Sequence, residues 1–220
     1  MGMSTYWRGP AEDEAMQGEH GFVWEAMLDT IDVDLAGKRV LDAGCNRGGF
    51  LRLLADRCDI ADGRGYDPAS GAIEDARRLA GGRPLRFEAA DTVPAGWDGF
   101  DVAFSHEVLY LLDDLPVHAE AIYRVLATGG VYYAVMGVHT GSALMADWHA
   151  ANSAELGLPE LYDVDDVIAV FRAAGFDAAA SRLAMRFVPA AGHGQHGPTR
   201  LLDWLAYYYD QKLLLRFRKG

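Results

Sequence analysis

Asp42, Asp67, Asp91, Ser105 and His106 have the types and spacing that ligand chemistry requires. Asp42 stands ahead of a glycine-rich turn, Gly44-Cys45-Asn46-Arg47-Gly48-Gly49, which follows the apolar pair Val40-Leu41. Glycines at 44 and 48 leave no side chain to block a ligand, and a helix opening at Gly49 points its first N–H groups into the same crevice. A carboxylate there repels a pyrophosphate and attracts a ligand carrying an ammonium group and ribose hydroxyls. Asp67 ends Gly65-Tyr66-Asp67-Pro68, about 20 residues past the turn, where an acid grips ribose hydroxyls; the alternative is that it caps a helix starting at Pro68. Asp91 and Thr92 follow a third apolar run and offer acceptors to an exocyclic amine. His106, closing a fourth run, is the candidate general base, against the alternative that it only packs on the ligand. Glu107 beside it either faces the crevice or stabilises the start of a helical turn, and Tyr110 is a candidate wall of the acceptor pocket.

Such residues need a scaffold that brings strand ends to one edge. Apolar runs at 39–41, 63–66, 85–88, 100–104 and 130–136 alternate with helical patterns at 49–56, 69–79 and 115–126. That alternation predicts an α/β doubly wound fold, a parallel sheet with helices on both faces. Gly129-Gly130 is expected to stop the last of these helices. Residues 12–32 read as one or two helices whose stripe of Phe22, Trp24, Met27 and Leu28 packs on the sheet. Residues 139–160 lack a strand pattern and exceed a simple connection, so they read as an insertion over the active face. Asp163 and Gly175 bracket a helix at 164–174, and a strand follows at 176–188. Residues 201–209 look helical, while 212–218 alternates apolar with mostly basic residues, as an edge strand protected by charge does.

The chain of 220 residues carries 32 acidic against 20 basic side chains, a net charge of -12. This balance opposes the counterion release on which binding to nucleic acid or an anionic membrane depends, and makes a small-molecule substrate the expected partner. No run approaches the roughly 20 apolar residues of a membrane span, and the acidic start lacks a signal-peptide core, so a cytoplasmic location is expected. Cys45 and Cys58 are too few for a disulfide framework or a metal cluster and read as reduced thiols. His193 and His196 have no acidic or cysteine partners, and no metal is predicted. Tyr6, Trp7, His139, Trp148 and His149 are further candidates for walls of an acceptor pocket. A G-x-G-x-x-G spacing at 192–197 lies late in the chain with no strand and acid after it, and is read as a chance match. The pattern specifies no oligomeric state.

VLDAGCNRGG (40–49), GYDP (65–68), AADT (89–92), FDVAFSHEVLYLL (100–112) and YRVLATGGVYY (123–133) occur in that order, and with them the chain resembles the class I S-adenosylmethionine-dependent methyltransferases of the small-molecule type. The resemblance covers about 39–136. It implies a Rossmann-like, seven-stranded, mostly parallel sheet with an antiparallel last strand. It also implies one domain over 1–220, with 1–37 as an N-terminal helical cap and 139–160 as a lid. S-adenosylmethionine is the implied cofactor and S-adenosylhomocysteine the product. By resemblance, Asp42, Gly44, Cys45, Asn46 and Gly48 shape the methionine side, Asp67 and Pro68 the ribose, and Asp91 with Thr92 the adenine edge. Ser105 and His106 would lie beside the cofactor. Asn46 stands where the family often has glycine, and asparagine tolerates the left-handed backbone such a turn needs. No Asn-Pro-Pro-Tyr-like segment follows the fourth strand, which again favours a small-molecule acceptor. A protein that binds the cofactor or a related nucleoside without transferring a methyl group is the second reading.

Overall fold

The computed structural model describes residues 10–189 and 200–220. Tyr6, Trp7, His193, His196 and the spacing at 192–197 lie outside them. Seven strands, β1 (Arg39–Ala43), β2 (Asp62–Asp67), β3 (Leu85–Ala89), β4 (Phe100–His106), β5 (Leu126–Met136), β6 (Phe176–Arg182) and β7 (Leu213–Lys219), make one sheet in the order β3-β2-β1-β4-β5-β7-β6. Every pairing from β3 through β5 is parallel, and β7 runs antiparallel to both β5 and β6. This is the doubly wound, mostly parallel sheet with an antiparallel last strand that the sequence predicts. Central β4 shows why: Val102, Ala103, Phe104 and Ser105 are all 0% exposed, so both of its faces need helices over them.

Helices α1 (Pro10–Thr30), α2 (Gly49–Arg57) and α3 (Ser70–Ala80) cover one face, packing Met27, Phe50, Leu54 and Ile73 against Val40, Phe104 and Val135. Helices α4 (Leu115–Val125) and α6 (Val164–Ala173) cover the other with Ile122, Val167 and Phe171 against Leu41, Tyr132 and Phe217. Asp163 caps α6 as predicted, its carboxylate accepting from the Asp165 N–H at 2.9 Å. Within 139–160 the chain forms α5 (Ala143–Leu156). Residues 201–209 divide into α7 (Leu201–Ala206) and a π-helical turn, Tyr207–Gln211.

Three local expectations are corrected. The predicted edge strand at 212–218 is interior, because β6 pairs along its outer side. Its basic residues have partners instead of guarding an edge: Arg216 and Arg218 meet Asp32, and the Lys219 Nζ donates to the Tyr123 and Leu126 carbonyls at 2.7 Å each. The strand predicted to reach residue 188 stops at Arg182, because its partner begins opposite it at Leu213 and offers no further ladder. Gly129-Gly130 does not stop α4, which has already turned into β5 at Leu126; the pair lies inside that strand, by its register shift against β4.

Candidate functional site

The carboxyl ends of β1, β2, β4 and β5 share one edge of the sheet, and the loop after β1 is tied down there by backbone bonds. Gly44 and Cys45 donate N–H groups to the Tyr66 carbonyl at 2.9 and 3.1 Å, and Gly48 donates to Cys45 at 2.8 Å. Gly44, Asn46 and Gly48 adopt φ of 75°, 45° and 69°, so Asn46 does take the left-handed conformation. The space freed at the two glycines is filled by protein: a Cβ at Gly44 would lie 2.5 Å from Val108 and one at Gly48 2.5 Å from the Phe87 ring. Those glycines are therefore needed for closure of the turn, whatever occupies the crevice.

Asp67, at the end of β2, accepts from the Asn46 N–H at 3.0 Å and the Ala69 N–H at 2.9 Å. It thereby orders the glycine turn and the approach to α3 together, although α3 starts at Ser70 and not at Pro68. Asp42 is 3% exposed; burial, and then the charge of Asp67, push its carboxyl up to about 8. The same environment pushes the buried Cys45 thiol well up, so Cys45 is a packing residue and no thiolate. Pro68 is half-buried, and Asp91 and Thr92 are exposed past β3. The Ala90 N–H donates to the Asp67 carbonyl at 3.1 Å, which brings the start of that loop beside Asp67.

Ser105 and His106 part company, because successive strand residues point to opposite faces. The Ser105 hydroxyl turns toward the α4 side and bonds the Tyr132 hydroxyl at 2.6 Å, which lies 3.1 Å from the His118 Nε2. His106 turns toward α1, its ring edge-on to His20 at 4.6 Å and to Trp24 at 6.4 Å. The His106 Nε2 and the Trp24 Nε1 are buried without hydrogen-bond partners. Burial, then the nearby His20 and Lys212, hold His106 well below the usual imidazole range.

Sequence reasoning missed the polar group next to His106. Glu107 has φ 58° and no helical role: its carboxylate accepts from the Gly137 N–H at 3.1 Å and pairs with the ammonium of Lys212. The Tyr207 hydroxyl lies 3.5 Å from the same carboxylate. Lys212 reaches this edge because β7 is antiparallel and enters where β5 leaves, Met136 opposite Leu213. The one available signal was a lysine directly before the apolar start of a strand. His139 and Ser142, just beyond β5, hold Gln211 through its carbonyl at 2.8 Å and its amide oxygen at 2.7 Å. Trp148 on α5 meets Tyr110 at 6.4 Å, whereas His149 is buried and bonded to the Pro159 carbonyl at 2.9 Å. Among the described residues no cluster of histidines, cysteines or acids suits a metal, and no helix is long and apolar enough to cross a membrane.

This sheet order, with a glycine turn after β1 and an acid after β2, defines the Rossmann-like methyltransferase fold. Residues 41–134 match the methyltransferase domain family model. The chain is 28% identical over 137 residues to malonyl-[acyl-carrier protein] O-methyltransferase of Legionella pneumophila, covering 60% of this chain and 48% of that one. It is 29% identical over 173 residues to a phthiotriol/phenolphthiotriol dimycocerosates methyltransferase of Mycobacterium ulcerans, covering 76% and 66%. It thus spans about half to two thirds of the length of these relatives. Among solved structures, a chain from the complex of the Haloferax volcanii Trm112 methyltransferase activator with a methyltransferase superposes with a TM-score of 0.80 at 24% identity, covering 96% of this chain and 94% of that one. These likenesses support a class I S-adenosylmethionine-dependent methyltransferase, with the family model confined to residues 41–134.

Proposed function

We propose that the chain transfers the methyl group of S-adenosylmethionine to a small-molecule acceptor. The observation that carries this reading is the acid pair at the ends of β1 and β2. Asp42, buried and raised to about 8 beside Asp67, is poorly solvated as an anion, and a cationic ligand with adjacent hydroxyls relieves that. Asp67 accepts two backbone N–H groups at the end of β2, and a carboxylate in that place is the type of acceptor that ribose hydroxyls need. The family resemblance then gives the turn from Gly44 to Gly48, with Cys45 and Asn46, to the methionine side, Pro68 to the ribose, and Asp91 and Thr92 to the adenine. Ser105, fully buried, supports this edge through Tyr132 without reaching a ligand itself.

When bound, S-adenosylmethionine supplies an electrophilic methyl on a sulfonium, so the protein's task is to align an acceptor with it and exclude water. His106, neutral because burial holds it below the usual imidazole range, presents an uncharged ring at this end and is the candidate acceptor of the proton that the methylated group releases. His20 and Trp24 set rings against His106, and Tyr110 meets Trp148 past β4; aromatic groups of this kind suit an acceptor with an apolar or planar part. The acyl and lipid substrates in the names of the two relatives support an acceptor of that character.

Calorimetric titration with S-adenosylmethionine and S-adenosylhomocysteine tests the cofactor: both should bind, and binding by neither sinks the reading. Incubation of the chain with radiolabelled cofactor and fractionated metabolite extracts tests transfer. Label should pass to an organic-soluble product, and silence across varied extracts leaves a binder without transfer.

A further inference from the structure

Glu107 follows His106 in a left-handed conformation, with φ 58°, at a residue that is not glycine. Such a conformation costs about 1–2 kcal/mol and persists only where the surroundings over-determine it. Here they do. Its N–H donates to the Val135 carbonyl at 3.0 Å, one carboxylate oxygen accepts from Gly137, and the other pairs with Lys212. Lys212 is 2% exposed, and its ammonium also lies 4.9 and 5.5 Å from the Tyr207 and Tyr208 ring centres. A buried ion pair adds little net stability over an apolar pair of the same shape, so stability alone does not explain one at the mouth of the sheet.

We propose that Glu107 and Lys212 are a positioning pair for His106, locking the turn behind it and fixing a buried cation at that strand end. The charged and titratable groups around His106 are His20 from α1, Glu107 from its own strand end and Lys212 from the start of β7. Burial lowers both imidazoles first; Lys212 follows it for His20, which falls to about 3, and follows burial and His20 for His106. Lys212 thus adds to burial and His20 in holding the imidazole beside the proposed methyl donor unprotonated, and to that extent the inference rests on the proposed function.

Imidazole titration followed by NMR, down to the onset of acid unfolding, tests the pair. In Lys212→Met the His106 and His20 curves should move to higher pH, and Lys212→Arg should restore them. Tyr207→Phe, which removes a hydroxyl at Glu107 but no charge, should leave them in place. Curves for Lys212→Met that superpose on the wild type overturn the proposal, as does an equal movement in Tyr207→Phe, which marks a merely structural role. If Lys212→Met fails to fold, Lys212→Gln, which keeps a hydrogen-bond donor for the Glu107 carboxylate without the cation, carries the same comparison. Calorimetry with S-adenosylhomocysteine separates the two readings. Affinity in the folded variant should stay within about threefold of wild type, whereas absence of binding in the wild type removes the proposed function and leaves the titration result standing.

Discussion

At the β1–β2 end of the sheet edge the candidate groups come from residues 42–48 and 67–69 and are held by backbone hydrogen bonds. At the β4–β5 end the polar groups around His106 come from α1, from Glu107, from the segment after β5 and from the turn before β7, and are held by side chains. The first end is built from a strand-turn-helix and one acid, all close in sequence. The second is assembled from segments 30 to 105 residues apart. A site made from the backbone tolerates side-chain change except where glycine is obligatory, whereas a site made from buried side chains depends on each partner.

The largest effect expected from this contrast is at Lys212. Lys212→Met leaves a buried carboxylate unpaired and should cost about 3–5 kcal/mol in urea denaturation, while Glu107→Leu together with Lys212→Met should recover most of it. A loss near zero in the single variant would mean that this end is not held by its ion pair. Next, Gly48→Val sets a side chain on the Phe87 ring at a positive φ, and should cost about 2–4 kcal/mol by the same measurement. Asp67→Ala removes the acceptor of two backbone N–H groups and the proposed ribose ligand. Its S-adenosylhomocysteine affinity should fall by about ten- to a hundredfold in calorimetry, and an unchanged affinity would move the ribose elsewhere.

The smallest effect is in pH. Asp42 is raised from 3.8 to about 8 in the folded chain, so its neutral form stabilises the ligand-free protein fully below the lower value. That contribution fades as pH rises through the higher one. An ammonium-bearing ligand needs the carboxylate, so affinity should climb as pH approaches 8, with protons released into the buffer. Asp42→Asn should flatten the climb and abolish the release; a climb that persists in the variant assigns it to another group.

The cofactor-type end was almost wholly legible in the sequence. Gly44, Asn46 and Gly48 act within one strand-turn-helix unit and Asp67 closes the next strand, where glycine conformation and acid spacing have local meanings. What misled was the purpose of the space at the glycines, which Val108 and Phe87 fill from elsewhere in the fold. The other end was legible only as a list of candidates. His106 and Tyr110 were identified from their place after β4, but His20 and Lys212 carry no local pattern that marks them. The alternation at 212–218 was read correctly as a strand and wrongly as an edge, because alternation reports burial of one face and not the number of neighbours.

The sequence by itself determined the doubly wound sheet, the glycine turn and the acids that follow β1 and β2, because periodicity and backbone conformation are encoded over a few residues. Only the tertiary structure decided that β7 lies inside the sheet, that Ser105 and His106 serve opposite faces, and that Lys212 meets Glu107. Those outcomes depend on which distant strand pairs with which, a choice made by the burial of whole faces and not by any one segment.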